Sequence, residues 1–172
     1  HGVYEDHPWI PTVSQLINDI YNANIPIFGV CFGHQLIAQA LGGRVEKSIK
    51  GWGLGLHTYE INNKADYMGN LSEEVTLNIC HQDQVLEAPE GATIYARSQF
   101  CENAGFYIKD KVLTMQAHPE FLVDFIKALL NARRDITIPK EFVDPALVKL
   151  NSYPDTVQSN QFAETIRKFF SS

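Results

Sequence analysis

The sequence predicts a layered α/β fold, and three stretches carry that expectation. Ile27, Phe28 and Val30 form a short apolar run of the kind a parallel strand shows when both of its faces are covered. The run leads into Leu36, Ile37, Ala40 and Leu41, which recur with helical spacing and stop at Gly42-Gly43, a C-terminal helix signal. Ahead of it, Val13, Leu16, Ile17, Ile20 and Tyr21 mark one face of a helix predicted over about Thr12 to Asn22. Helix, buried strand, sharp turn and helix in that order imply helices layered on a sheet.

Composition narrows the function classes. The 172 residues are 45% hydrophobic and 20% charged, which suits one domain with a sizeable core. A net charge of -6, with no cluster of Lys and Arg, argues against nucleic acid as a partner. No apolar run approaches the roughly 18 residues of a membrane span. Three cysteines without close pairing suggest neither a disulfide framework nor a Cys-x-x-Cys metal site, and point to a reducing cytoplasm. The chain begins at His1 with residues that read as a loop entering a helix, so we expect a domain over 1–172 that lacks its N-terminal strands.

After Gly43, strand-like pieces fall at Arg44 to Ser48 and Leu54 to Asn62, separated by Gly51-Trp52-Gly53. A weak helical signal covers Lys64 to Gly69. Val75, Leu77 and Ile79 alternate with Thr76, Asn78 and Cys80, the pattern of a half-buried strand, which delivers Cys80-His81-Gln82-Asp83 at its end. Ala88-Pro89-Glu90-Gly91 turns the chain, and strands are predicted at Thr93 to Ser98, Gly105 to Lys109 and Lys111 to Ala117. Leu122, Phe125, Ile126, Leu129 and Leu130 give an amphipathic helix to about Arg133. Phe142, Val143, Leu147 and Leu150 suggest another, and Phe162, Ile166, Phe169 and Phe170 a last one docking on the core. Pro139, Pro145 and Pro154 punctuate this third without defining a second domain.

Two motifs carry chemistry. Gly29-Val30-Cys31-Phe32-Gly33 is the thiol counterpart of Gly-x-Ser-x-Gly, in which flanking glycines let a strained strand-to-helix turn close without a Cβ clash. Such a turn exposes the nucleophile and sets its sulfur near a helix N-terminus, which favours thiolate. On its own Cys31 could equally be a buried structural cysteine. His118-Pro119-Glu120 ends a predicted strand, where residues two apart project to one side. Pro119 stiffens the pair by fixing its own φ and biasing His118 toward extended geometry. A thiol needs a base, and the base needs a third group to orient it.

Together, Cys31-Phe32-Gly33-His34-Gln35 and the later His118-Pro119-Glu120 resemble the elbow Cys-x-Gly-x-Gln and the His-Pro-Glu of the class I glutamine amidotransferases. The segment Cys80-His81-Gln82-Asp83-Gln84-Val85 is also similar, and the likeness runs from Val3 to about Arg133. Within the family the chain looks most like the stand-alone members related to the glutaminase domain of GMP synthase, a likeness to which Gly51-Trp52-Gly53-Leu54-Gly55 contributes.

The resemblance implies a three-layer, mostly parallel sheet flanked by helices, flavodoxin-like in arrangement. It implies an enzyme in which Cys31 attacks the glutamine carboxamide, His118 shuttles protons and Glu120 orients His118, with no cofactor or metal. The backbone N–H of Phe32 would serve the oxyanion, with a second donor from a glycine loop at or just before His1-Gly2. Gln35 and His81 would border the bound small-molecule substrate, and a synthetase subunit would receive the ammonia. His34, a variable position of the motif, is expected at the surface, with the pocket rim as the alternative. A stand-alone γ-glutamyl peptide hydrolase and a non-catalytic relative are the alternatives.

Overall fold

The computed structural model describes residues 2–69, 71–152 and 158–171; His1 and Pro154 lie outside them. The first helix, α1 (Trp9–Asn22), starts three residues ahead of Thr12. Pro11 falls in its first turn, where the missing N–H has no helical partner to lose. β1 (Ile27–Val30) and α2 (Phe32–Ala40) follow as expected, with Cys31 between them. β2 (Arg44–Lys47), β3 (Gly53–Ile61), a 3-10 turn at Asp66–Met68 and β4 (Glu74–His81) come next. Then come β5 (Asp83–Glu87), β6 (Thr93–Arg97), β7 (Gly105–Ile108), β8 (Val112–Met115), α3 (Val123–Arg133), α4 (Lys140–Ser152) and α5 (Ser159–Phe169).

The strands form a six-stranded sheet in the order β1-β8-β7-β6-β3-β4 and a separate β2-β5 ribbon. Helices flank the main sheet in the layered α/β manner. One face packs Ile10 and Ile17 of α1 and Leu36 and Ile37 of α2 against Phe106, Ile108 and Val112. The other packs Phe162 and Phe169 of α5 with Tyr95, Leu113 and Met115. A third cluster seats α3 and α4 on Leu54 and Leu56 of β3, through Ile126, Leu130, Val143 and Leu150.

Less of this sheet is parallel than expected. Among the described pairings only β1 and β8 run parallel, with Val30 opposite Met115; the others are antiparallel. The links 98–104 and 109–111 are too short for a crossover, so β6, β7 and β8 must meander. Pro145 lies inside α4, within the helix expected from Phe142 to Leu150, without ending it. Two further expectations change. Asp83–Glu87, where no strand is predicted, forms β5 by pairing back on β2. Leu122, Phe125 and Phe170 stay exposed, so the apolar stripes of α3 and α5 are narrower than their sequences suggest.

Candidate active site

The site is built where β1 and β8 end side by side. Cys31 N–H donates to the Met115 carbonyl at 2.9 Å, then the chain turns sharply, with Cys31 at φ 49° and ψ -103°. A non-glycine residue is rarely held at such angles outside a functional turn. A Cβ on Gly29 would lie 2.5 Å from Ile37 Cδ1 and 2.8 Å from the Gly33 carbonyl, so the first glycine of the motif is sterically required. The second is not: a Cβ on Gly33 would meet nothing within 4 Å.

Three residues beyond Met115, the chain delivers His118. Its N–H donates to the Asn78 carbonyl of β4 at 2.8 Å, and Asn78 Nδ2 donates to the Phe121 carbonyl at 3.0 Å. Asn78 thus clamps the His-Pro-Glu turn at both ends. The alternation of β4 places it on the solvent side, yet it is fully buried, since α3 and α4 cover that face. His118 Nδ1 lies 2.6 Å from Glu120 Oε1, and its ring stacks on Phe121 at 3.8 Å, tilted by only 5°. Because a carboxylate accepts, Nδ1 carries the proton and Nε2 is left free. Burial is the largest single influence on Glu120 and works against its ionisation, but the hydrogen bond from His118, a backbone N–H and the nearby imidazole together outweigh it and hold the carboxyl below its usual range.

The resting thiol differs from expectation. Burial, reinforced by Cys80, pushes Cys31 up to about 12, although the Phe32 N–H and the Gln116 side chain oppose the shift. Desolvation outweighs the helix N-terminus, so at neutral pH the sulfur holds its proton. No hydrogen bond joins Cys31 to His118 among the described residues; what relates them is the β1/β8 register.

A pocket of about 270 Å³ opens in front of the sulfur, lined by Cys31, Phe32, Gln35, Cys80 and His81 among others. His118 and Glu120 are not among its lining residues. Gln35 is buried, and its Nε2 donates to the Asp83 carbonyl at 2.8 Å and to Gln116 Oε1 at 3.0 Å. Both amide hydrogens are thereby used, which leaves its oxygen for a ligand. His81 Nδ1 donates to the same Asp83 carbonyl at 3.0 Å. The Gly2 N–H donates to Glu5 Oε1 at 2.9 Å, so it is not turned toward an oxyanion. His34 is not at the surface: it is fully buried, 2.8 Å from Thr114 Oγ1 through Nδ1, with its ring against Phe106. Among the described residues, no group of three or more His, Cys, Asp or Glu is placed to hold a metal ion.

The buried histidines make stability acid-sensitive. Burial depresses His34 to about 3, aided by His81. It depresses His81 to about 3 against the pull of its Asp83 hydrogen bond, and His57 to about 4, aided by Lys149. Between those values and the ordinary histidine range the unfolded chain binds more protons, so stability rises with pH and falls on acidification. Each such histidine adds a slope approaching roughly 1.4 kcal/mol per pH unit below about pH 6.5. Urea midpoints should fall steeply from pH 7 to pH 5; a flat profile would show that these rings are not held neutral.

Comparison with known proteins agrees with this architecture. The glutamine amidotransferase class-I family model matches residues 4–127. Gamma-glutamyl peptidase 4 of Arabidopsis thaliana is 40% identical over 131 residues, covering 73% of this chain and 52% of the peptidase. The glutamine-hydrolysing GMP synthase of Finegoldia magna is 35% identical over 121 residues, 70% of this chain but 22% of the synthase. The chain therefore spans about half of the first relative and a smaller part of the second. In fold, a glutamine amidotransferase from Thermotoga maritima superposes with a TM-score of 0.84 at 23% identity, over 100% of this chain and 75% of that one. With the family model spanning the elbow, the His-Pro-Glu turn and the strands that hold them, this chain belongs to the class I glutamine amidotransferase family.

Proposed function

We propose that the protein hydrolyses a γ-glutamyl amide bond by thiol catalysis, with the side-chain amide of glutamine as the simplest substrate. The observation that carries this reading is a strained elbow cysteine at the end of β1 and, past the end of its parallel neighbour β8, a histidine whose Nδ1 is held by a carboxylate at 2.6 Å. The Cys31 thiol gives its proton to His118 Nε2 as sulfur attacks the carbonyl carbon. The C–N bond then breaks, the departing nitrogen takes that proton, and a γ-glutamyl thioester remains. His118 next deprotonates water, which attacks the thioester; glutamate leaves and the proton returns to sulfur. Glu120 keeps the imidazole oriented and offsets its charge in both halves.

The Phe32 N–H is the first amide of α2 and has no helical partner; at rest it faces the Cys31 sulfur, and it serves the oxyanion once the tetrahedral centre forms. The Gln35 oxygen accepts from an N–H of the substrate. Ammonia transfer to a synthetase subunit extends this reading, and the likeness to GMP synthase supports it.

A second reading has its own support. The pocket lining includes Trp52 and the exposed Lys47 and Arg133 as well as the elbow, more wall than a departing ammonia needs, and one relative bears the name of a γ-glutamyl peptidase. Glutamate release from glutamine and from γ-glutamyl dipeptides separates the two. Comparable kcat/KM values support the first reading, and a preference of about tenfold or more for dipeptides supports the second. Release from neither, with no acyl adduct on Cys31 by mass spectrometry, would remove both.

A further inference from the structure

We propose that Gln116 is a positioning residue for the nucleophile: two side-chain amides in series, Gln35 then Gln116, present an N–H to the Cys31 sulfur and stabilise the thiolate as it forms. This rests on the thiol-hydrolase reading above.

The direction of the relay follows from one main-chain atom. The Asp83 carbonyl can only accept, so the Gln35 group 2.8 Å from it is the NH₂. That NH₂ also lies 3.0 Å from an atom of the Gln116 amide, which must then be the oxygen. Once its oxygen is committed, Gln116 has its NH₂ on the opposite side. There Nε2 is buried and has no hydrogen-bond partner among the described residues, in a residue with no exposed surface. A donor so placed is costly to leave unpaired.

Register sets Gln116 beside the elbow. Val30 pairs with Met115, and the Cys31 N–H is bonded to the Met115 carbonyl, so Gln116 is the residue level with the elbow. Its amide acts to favour ionisation of the Cys31 thiol. In the resting protein the sulfur is a neutral, weak acceptor. As the proton passes to His118 the sulfur gains charge, and the contact becomes a charge-assisted hydrogen bond that is stronger in the transition state than before it. The Phe32 N–H also faces the sulfur, but it is needed by the oxyanion once a tetrahedral centre forms. Gln116 is then the donor that stays with the sulfur. A purely structural Gln116 would only tie β8 to α2.

Iodoacetamide alkylation, located at Cys31 by mass spectrometry, distinguishes the two because it needs no substrate. Gln116→Met keeps the length of the side chain without the amide; Gln116→Asn keeps the amide but cannot reach Gln35 and the sulfur together. We expect alkylation about tenfold slower than the parent at each pH from about 7 to 9, the change produced by one unit of thiol pKa. With a γ-glutamyl substrate, kcat should fall while KM changes little. Parent-like alkylation rates in either folded variant would overturn the proposal. Slower alkylation in a protein that cleaves no γ-glutamyl bond would uphold it and overturn the functional reading instead.

Discussion

Replacing Cys31 with alanine should lower γ-glutamyl hydrolysis by about 10⁴-fold or more and abolish the acyl adduct. Loss of an activated nucleophile removes the covalent route entirely, and the remaining binding groups cannot supply another. Cys80 borders the same pocket, but it lies within β4, and burial raises its thiol as well. It has neither the free helix amides nor the turn that present Cys31. A companion variant tests the backbone independently of the chemistry. Cys31 is held at a φ of 49°, where a Cβ is strained and glycine is not. Cys31→Gly should therefore be as inactive as Cys31→Ala yet more stable, by roughly 1 kcal/mol. Turnover assays and urea unfolding of the two proteins check this. Residual activity near the parent level would eliminate Cys31 as nucleophile, and equal stability would show that the elbow is not strained.

That elbow was legible in the sequence because its determinants are local: an apolar strand, a required glycine and a helical repeat within fifteen or so residues. Most elements were legible for the same reason. What stayed hidden depends on partners distant in the chain. Asp83–Glu87 looks like the run-out of β4, and only its pairing with Arg44–Lys47 makes it a strand. Asn78 sits on the polar side of an alternating strand, and Gln116 is a lone polar residue beside an apolar run; nothing local says that helices from the C-terminal third will bury the first or that Gln35 will orient the second. Gly33 looked as indispensable as Gly29, but the close approach is made to Gly29 alone. The protonation of Cys31 was misjudged for a related reason. The helix N-terminus is visible in sequence, whereas the desolvation that overrides it comes from the assembled fold.

The two other proposed members of the triad should differ sharply in what their loss costs. His118→Ala removes the group that must take the thiol proton, return it to the leaving nitrogen and activate water. With the thiol raised to about 12, the thiolate fraction at neutral pH is too small to replace that transfer. A loss on the order of 10³-fold or more in kcat is expected. Glu120 acts through His118, and its side chain is 52% exposed while that of His118 is 14% exposed. Solvent screens its charge and can share its hydrogen bond. Glu120→Gln also keeps an oxygen able to accept from Nδ1, and Phe121 still stacks on the ring, so the tautomer and the ring plane survive. What goes is the negative charge that balances the imidazolium, and we expect a loss of about 10- to 10²-fold, falling on kcat with KM little changed. Steady-state kinetics of the two variants decide the ranking. A Glu120→Gln defect as deep as that of His118→Ala would mean that the carboxylate does more than orient and balance its neighbour. An unimpaired His118→Ala would show that another group moves the proton.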